Sequence, residues 1–332
     1  MLHHRPIGAG RAIAAAPFSP AWHDPVVPQR LLVIDAPSVY FRAFHGVPVA
    51  VTSPEGEPVN AIRGFLDVLA RQVRALGSQA AVACFDADWR PAWRVELLPS
   101  YKAQRVGPDG GDQSPPELSP QVPVLEQVLD ALGVARLGVA GFEADDLMGT
   151  LAERHEGPVD VLTGDRDLFQ LVRDDKPVRV VYSVEKFRLV DEARIIDKYG
   201  VPGRSYADFA VLRGDPSDGL PGVAGVGDKT AAALVSRFGS VEQMLAAVDA
   251  GESAGFPAGS RGRIDAAREY LAAAVAVVRV RRDVPVPALH PALNPELPRE
   301  PADPAELVRL SERWGLDGPL TRLLAALSGR PA

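Results

Sequence analysis

Between Arg30 and about Asp175, short apolar runs alternate with stretches of helical periodicity. The runs at 31–35, 80–85, 135–139 and 159–163 have the length and apolar continuity of buried strands. Apolar residues at helical spacing predict helices over 59–76, 119–132 and 144–155. Ile62, Leu66, Leu69 and Val73 share one face of the first, and Leu147, Met148 and Leu151 one face of the third. Strand and helix in alternation favour a parallel sheet with helices on both faces, so the fold class is α/β. From about residue 191 helices alone are predicted, at 191–199, 204–213, 228–238, 241–249, 263–279, 304–315 and 317–327. The Pro-bearing stretch 283–303 reads as an extended linker, and 105–120 is too rich in Gly and Pro for a packed helix. Residues 1–29 hold no sustained period and read as a disordered tail or a misassigned start. The chain divides into that tail, an α/β core over 30–190 and a helical region over 191–327.

Carboxylates stand where apolar runs end: Leu-Leu-Val-Ile-Asp35, Val-Ala-Cys-Phe-Asp86, Gly-Phe-Glu143-Ala-Asp145-Asp146, Val-Leu-Thr-Gly-Asp165-Arg-Asp167 and Arg-Gly-Asp215-Pro-Ser-Asp218. In parallel sheets, ligands gather beyond the carboxyl ends of the strands, where Asp35, Asp86 and Asp165 fall. At ~4 Å and an effective dielectric near ~20, each like-charge pair costs about 4 kcal/mol, so nine acids at one edge need protons or bound cations. Taken singly, each motif has an ordinary reading. An acidic first turn suits a helix start at 143–146, Asp167 suits a helix cap, and Asp215-Pro-Ser-Asp218 suits a turn. Recurrence at five sites favours divalent metal. Hard oxygen donors without a His/Cys cluster point to Mg²⁺ or Mn²⁺. Glu143 and Asp146 share a helix face, while Asp145 projects elsewhere.

The 332-residue chain is 46% hydrophobic and carries a formal charge of −7, which argues against a simple polycationic nucleic-acid binder. The single Cys, Cys84, lies in an apolar run and reads as a buried core thiol suited to a reducing cytosol. No run approaches the ~18 apolar residues of a membrane span. His3, His4 and His23 read as solvated tail residues.

Two further motifs supply phosphate chemistry. Gly222-Val223-Ala-Gly225-Val-Gly227-Asp-Lys229-Thr230 has small residues that let backbone amides approach a phosphate, with a helix starting behind them. It lacks Walker spacing, which excludes that mode of ATP binding. Tyr101-Lys102-Ala-Gln-Arg105 precedes the Gly/Pro-rich segment. It reads either as a solvated basic turn or as cations at a scissile phosphate, with Tyr101 stacking on a base. Arg42 lies a helical turn or two past Asp35, placed to face the phosphate, and His45 reads as packing support. Ser38, Ser183 and Cys84 have no context of an activated nucleophile.

In this order and spacing the motifs resemble the 5′-nuclease, or flap endonuclease, family, specifically the bacterial 5′–3′ exonuclease that also forms the N-terminal domain of DNA polymerase I. The resemblance covers about residues 30–327. It implies a PIN-like parallel sheet flanked by helices, a helical arch over about 100–122, and a helix-three-turn-helix grip on DNA over about 214–240. It implies a first metal on Asp35, Asp86, Glu143 and Asp145, and a second on Asp165, Asp167, Asp215 and Asp218. Asp145 and Asp146 would lie between the two or act through water. Lys102 and Arg105 would lie at the arch base, and K⁺ would bind backbone carbonyls of the hairpin 222–227. The implied enzyme is a monomeric, cytoplasmic, stand-alone nuclease acting on DNA flaps, nicks, duplex ends and RNA–DNA primers. Three residues depart from those common in the family: Ala36 replaces Gly, Gly219 replaces Asn, and Ala224 replaces a basic residue of the hairpin.

Two competing readings stand behind this one. A PIN-type ribonuclease would share the acidic core but would not ordinarily need the helical half or the hairpin, and a non-enzymatic DNA-structure binder using only the hairpin should have lost some of the acids, whereas this sequence has lost none.

Overall fold

The structure is a computed structural model describing residues 29–108, 110–286 and 295–329. Of the tail expected over 1–29, residues 1–28 lie outside the described residues. Six strands form one sheet in the order β3-β2-β1-β4-β5-β6. They are β1 (Leu31–Asp35), β2 (Ala80–Cys84), β3 (Ala135–Leu137), β4 (Val159–Thr163), β5 (Val178–Tyr182) and β6 (Arg188–Val190). The first five run parallel, with Asp35 opposite Cys84 and Ile34 opposite Leu162 in register. β6 runs antiparallel to β5, so the sheet is mixed rather than wholly parallel as expected. A short turn at 183–187, with Lys186 and Phe187 at positive φ, reverses the chain without a crossover helix.

From β1 the chain steps outward to β2 and β3, then returns across β1 to lay down β4 and β5 on the other side. The reversal lies between β1 and β4, and there the loops leaving the two carboxyl ends diverge and open a crevice.

The helices are α1 (Ala36–Gly46), α2 (Asn60–Leu76), α3 (Ala92–Leu97), α4 (Gln121–Leu132), α5 (Ala144–Arg154), α6 (Glu192–Tyr199) and α7 (Tyr206–Arg213), followed by α8 (Asp228–Phe238), α9 (Val241–Asp249), α10 (Ser260–Ala266), α11 (Arg268–Val278), α12 (Pro304–Trp314) and α13 (Asp317–Leu327). One sheet face packs Leu31, Val33 and Val161 against Leu147 and Met148 of α5, then continues without a break into Phe209, Leu234 and Leu271 of the helical half. The other face packs Leu32 and Ile34 against Ile62, Phe65 and Leu66 of α2, Leu125 and Leu129 of α4, and Leu310 and Leu323 of the last two helices. The apolar stripe predicted for α2 is the stripe that is buried.

Two expected features take another form. Among the described residues, the arch segment holds one 3₁₀ turn at 103–105 and an isolated bridge between Val106 and Asp112, so it is a folded strap, not a helical arch. The expected linker 283–303 is pinned at both described ends. Arg154 donates to the carbonyls of Val284 and Val286, and Pro295–Leu297 bonds to the start of β2. Among the described residues, no helix is long and apolar enough to cross a membrane.

Candidate active site

Asp35 ends β1 and caps α1, accepting the Ser38 amide at 3.0 Å and the Thr163 hydroxyl at 2.6 Å. Thr163 ends β4, and its hydroxyl oxygen accepts the Asp165 amide at 2.9 Å, while Asp165 accepts the Asp167 amide at 2.8 Å. A chain of short polar turns therefore fixes three acids across the β1/β4 reversal. Asp86, just beyond β2, accepts the Ala144 amide at 2.7 Å and ties that strand end to the start of α5. Asp215 caps the turn 216–218 through the Ser217 amide at 3.0 Å, closing a tight loop by its bridge to Leu220.

These elements enclose a pocket of about 920 Å³ lined by Asp35, Asp86, Glu143, Asp145, Asp165 and Asp215, with Lys102, Arg105, Arg166, Tyr40 and Trp89 completing the wall. Burial, followed by the charges of Asp86 and Asp165, pushes Asp35 up to about 7 although Thr163 and Ser38 favour its anion. Burial likewise raises Asp86 to about 6, and burial with the charge of Asp165 raises Asp218 to about 6. Asp145, Asp165 and Asp167 are raised by burial and then by facing carboxylates.

Lys102 is a cation of the pocket wall. Its residue has φ +49°, its amide donates to the Asp218 carbonyl at 3.0 Å, and its ammonium bonds Glu143. Burial opposes its charge, but Tyr101, Glu143, Asp218 and Asp145 together hold its pKa well above the ordinary lysine value. Arg105 is held by Asp112 at 2.7 Å across the strap and lies over Trp89.

Among the described residues, no three His, Cys, Asp or Glu side chains are grouped tightly enough to hold one ion as they stand. The donor chemistry nevertheless fits a hard divalent cation: the lining carboxylates supply only oxygen, and burial first, then neighbouring carboxylates, raise their proton affinity.

Four expected site residues are corrected. Asp146 is turned away from the pocket. Both its oxygens take the Arg94 guanidinium, at 2.9 and 2.7 Å, and Oδ1 also takes the Arg281 amide at 2.8 Å, so it anchors rather than ligates. Glu143 and Asp146 are joined by a capping box and both meet Arg94, but Glu143 also lines the pocket beside Asp145, and Asp146 does not. Tyr101 is buried with its hydroxyl on Glu143 at 2.8 Å and has no free ring face for a base. Arg42 lines a separate groove with His45 and Phe187. Val223 is buried in the core and donates its amide to the Leu212 carbonyl at 2.9 Å, while Gly222, Gly225, Gly227, Lys229 and Thr230 stay on the hairpin surface.

Sequence reasoning missed Arg94, whose guanidinium joins Glu143, Asp146 and the Val277 carbonyl. It also missed Arg166, which lines the pocket 3.5 Å from Asp215. The only signal for Arg94 is a charge inside the amphipathic run Ala92–Leu97; Arg166 could have been found from its position between Asp165 and Asp167.

An acid-lined pocket at the reversal of an α/β sheet, continuous with a helical half carrying a glycine hairpin, defines a hydrolytic nuclease. Residues 30–200 match the model of the 5′–3′ exonuclease N-terminal resolvase-like domain, and 201–300 that of the 5′–3′ exonuclease C-terminal SAM fold. A 5′–3′ exonuclease of Streptomyces coelicolor is 54% identical over 90% of this chain and 100% of its own length. One of Mycobacterium tuberculosis is 45% identical over 91% and 98%. The chain belongs to the 5′–3′ exonuclease family. Its fold is also that of the bacteriophage T5 D15 flap endonuclease, with TM-score 0.59 at 19% identity over 75% of this chain and 89% of that one.

Proposed function

We propose that the protein is a structure-dependent 5′ nuclease that hydrolyses DNA phosphodiesters by a two-metal-ion mechanism. It would act as a 5′–3′ exonuclease and a 5′-flap endonuclease, as a cytoplasmic monomer removing flaps or RNA primers in replication and repair. The observation that carries the reading is the ring of buried and half-buried carboxylates beneath a strap that presents Lys102 and Arg105. The T5 relative is described in complex with DNA and metal ions, which supports the same partners here.

Asp35, Asp86, Glu143 and Asp145 on one side, and Asp165, Asp167, Asp215 and Asp218 on the other, would hold two Mg²⁺ or Mn²⁺ ions. When bound, these lower the pKa of an attacking water and neutralise the leaving oxygen. The chain supplies the rest. The strap cations orient the phosphate and stabilise charge that grows in the transition state. Of the three side chains considered as nucleophiles, Cys84 and Ser183 are buried and the Ser38 hydroxyl oxygen accepts the Gly164 amide at 2.7 Å.

Asp145→Asn and Asp167→Asn are each expected to slow cleavage of an end-labelled 5′-flap substrate in Mg²⁺ by a factor on the order of 10² or more, the scale of losing one preorganised electrostatic contact. Circular dichroism should stay that of the wild type. Chelation should stop the wild type, and Ca²⁺ should permit DNA binding with little turnover. Robust cleavage by Asp167→Asn, or in excess chelator, refutes the two-metal reading. Cleavage of RNA but not branched DNA would favour the ribonuclease alternative.

A further inference from the structure

Residues 222–227 carry no cation before Lys229, with Ala at 224, yet a guanidinium stands on them. Arg263, from α10, donates its Nη1 hydrogen to the Gly225 carbonyl at 2.9 Å. The contact is close: Gly225 has φ +73°, and a Cβ there would meet the Arg263 Cζ at 3.1 Å. Arg263 is exposed and makes no ion pair among the described residues, so most of its five N–H donors are unclaimed.

The backbone beside it is equally open. The Gly222 amide is taken by the Tyr270 hydroxyl at 3.1 Å, and those of Val223 and Val226 by carbonyls at 2.9 Å. Those of Ala224, Gly225 and Gly227 have no acceptor among the described residues. Behind them opens α8, whose first amides add partial positive charge. A planar fork of donors beside free amides matches the non-bridging oxygens of a phosphodiester.

We propose that Arg263 is the resident cation of the hairpin. One amino group holds the Gly225 carbonyl, and the remaining donors bind a backbone phosphate of duplex DNA seated on the free amides. Because a guanidinium already stands 2.9 Å from that carbonyl, its positive charge disfavours an alkali ion beside it, and the grip works without K⁺. This rests on the reading of the hairpin as the duplex grip.

The test measures binding of a labelled nicked duplex in Ca²⁺ by fluorescence anisotropy, across a salt series in NaCl and in KCl. The proteins are the wild type, Arg263→Ala, Arg263→Lys and Gly227→Val. Arg263→Ala should weaken binding about 5- to 10-fold and lower the slope of log Kd against log salt by about one, the signature of a lost phosphate contact. Arg263→Lys should recover the slope, and wild-type affinity should be equal in Na⁺ and K⁺. An unchanged slope in Arg263→Ala, with or without a fall in melting temperature, overturns the proposal. So does markedly tighter wild-type binding in KCl. Gly227→Val separates the two readings, because full duplex affinity in that variant would remove the hairpin grip itself, whatever Arg263 does.

Discussion

Arg94 is 2% exposed, and its guanidinium faces both Glu143 and Asp146. Those carboxylates keep its pKa above the ordinary arginine value even though burial opposes the charge. Removing one partner of a buried ion pair leaves the others uncompensated and costs about 3–5 kcal/mol. Arg94→Met is accordingly expected to destabilise the protein by about that much in urea unfolding, and to slow cleavage as Glu143 loses its anchor. A loss under about 1 kcal/mol would mean that the pair is not a structural anchor. The carboxylates themselves were legible, because each follows an apolar run and the fold brings strand ends together. Their orientation was not. Glu143-Ala-Asp145-Asp146 states that two acids share a face but not which face meets the pocket, and Arg94 lies 49 residues from Glu143 with no periodic signal linking them.

The decisive element-scale contact joins the strap to the turn that carries Asp215 and Asp218. The Lys102 amide reaches the Asp218 carbonyl at 3.0 Å, and the Gln104 amide nitrogen reaches that of Ser217. Gly219 makes this approach possible, since a Cβ there would lie 1.9 Å from the Ser100 carbonyl oxygen at a φ of +73°. Gly219→Ala should therefore shift the strap, cost about 1–3 kcal/mol in denaturant unfolding and reduce cleavage. Gly227→Ala is the control for stability: its backbone is extended and nothing lies within 4 Å of its Cβ position, so the melting temperature should not move. Equal stability losses in both variants would contradict the packing described. Strap position could not be read from Gly and Pro content, which marks a loop without saying what it touches. β5 and β6 were missed because they follow an acidic turn and are joined by a turn in place of the helix that signals a parallel crossover.

At the scale of the whole molecule, the free energy of the fold is coupled to the charge of the pocket. Asp35 titrates near 7, and Asp86 and Asp218 near 6, against an ordinary value of 3.8. Between those limits the folded protein holds protons that the unfolded chain has released, so stability from these groups is full below 3.8 and declines as pH rises toward 7. In chelator the melting temperature should fall from pH 5 to pH 8, and saturating Mg²⁺ should reduce that fall by stabilising the ionised form. A melting temperature that climbs over the same interval without metal would contradict the burial of these acids. Among the described residues, only helices follow β6, the last strand, which ends at Val190. The packing ignores that change, because Val33 of β1 and Phe209 of α7 belong to one core.

The last two helices return to the first half of the chain. Leu310 and Leu323 pack with Ile62 and Leu66, Arg322 bonds Asp67 at 2.8 Å, and Arg63 bonds the Gly315 carbonyl at 2.9 Å. The helices between 206 and 278 are therefore spliced into the α/β unit and fastened at two ends, as a handle is riveted to a case. A handle with one rivet can swivel; with two it keeps its angle. On the proposed reading, the span from hairpin to acid pocket then acts as a fixed gauge, so that the cut falls a set distance from the duplex junction whatever the base sequence.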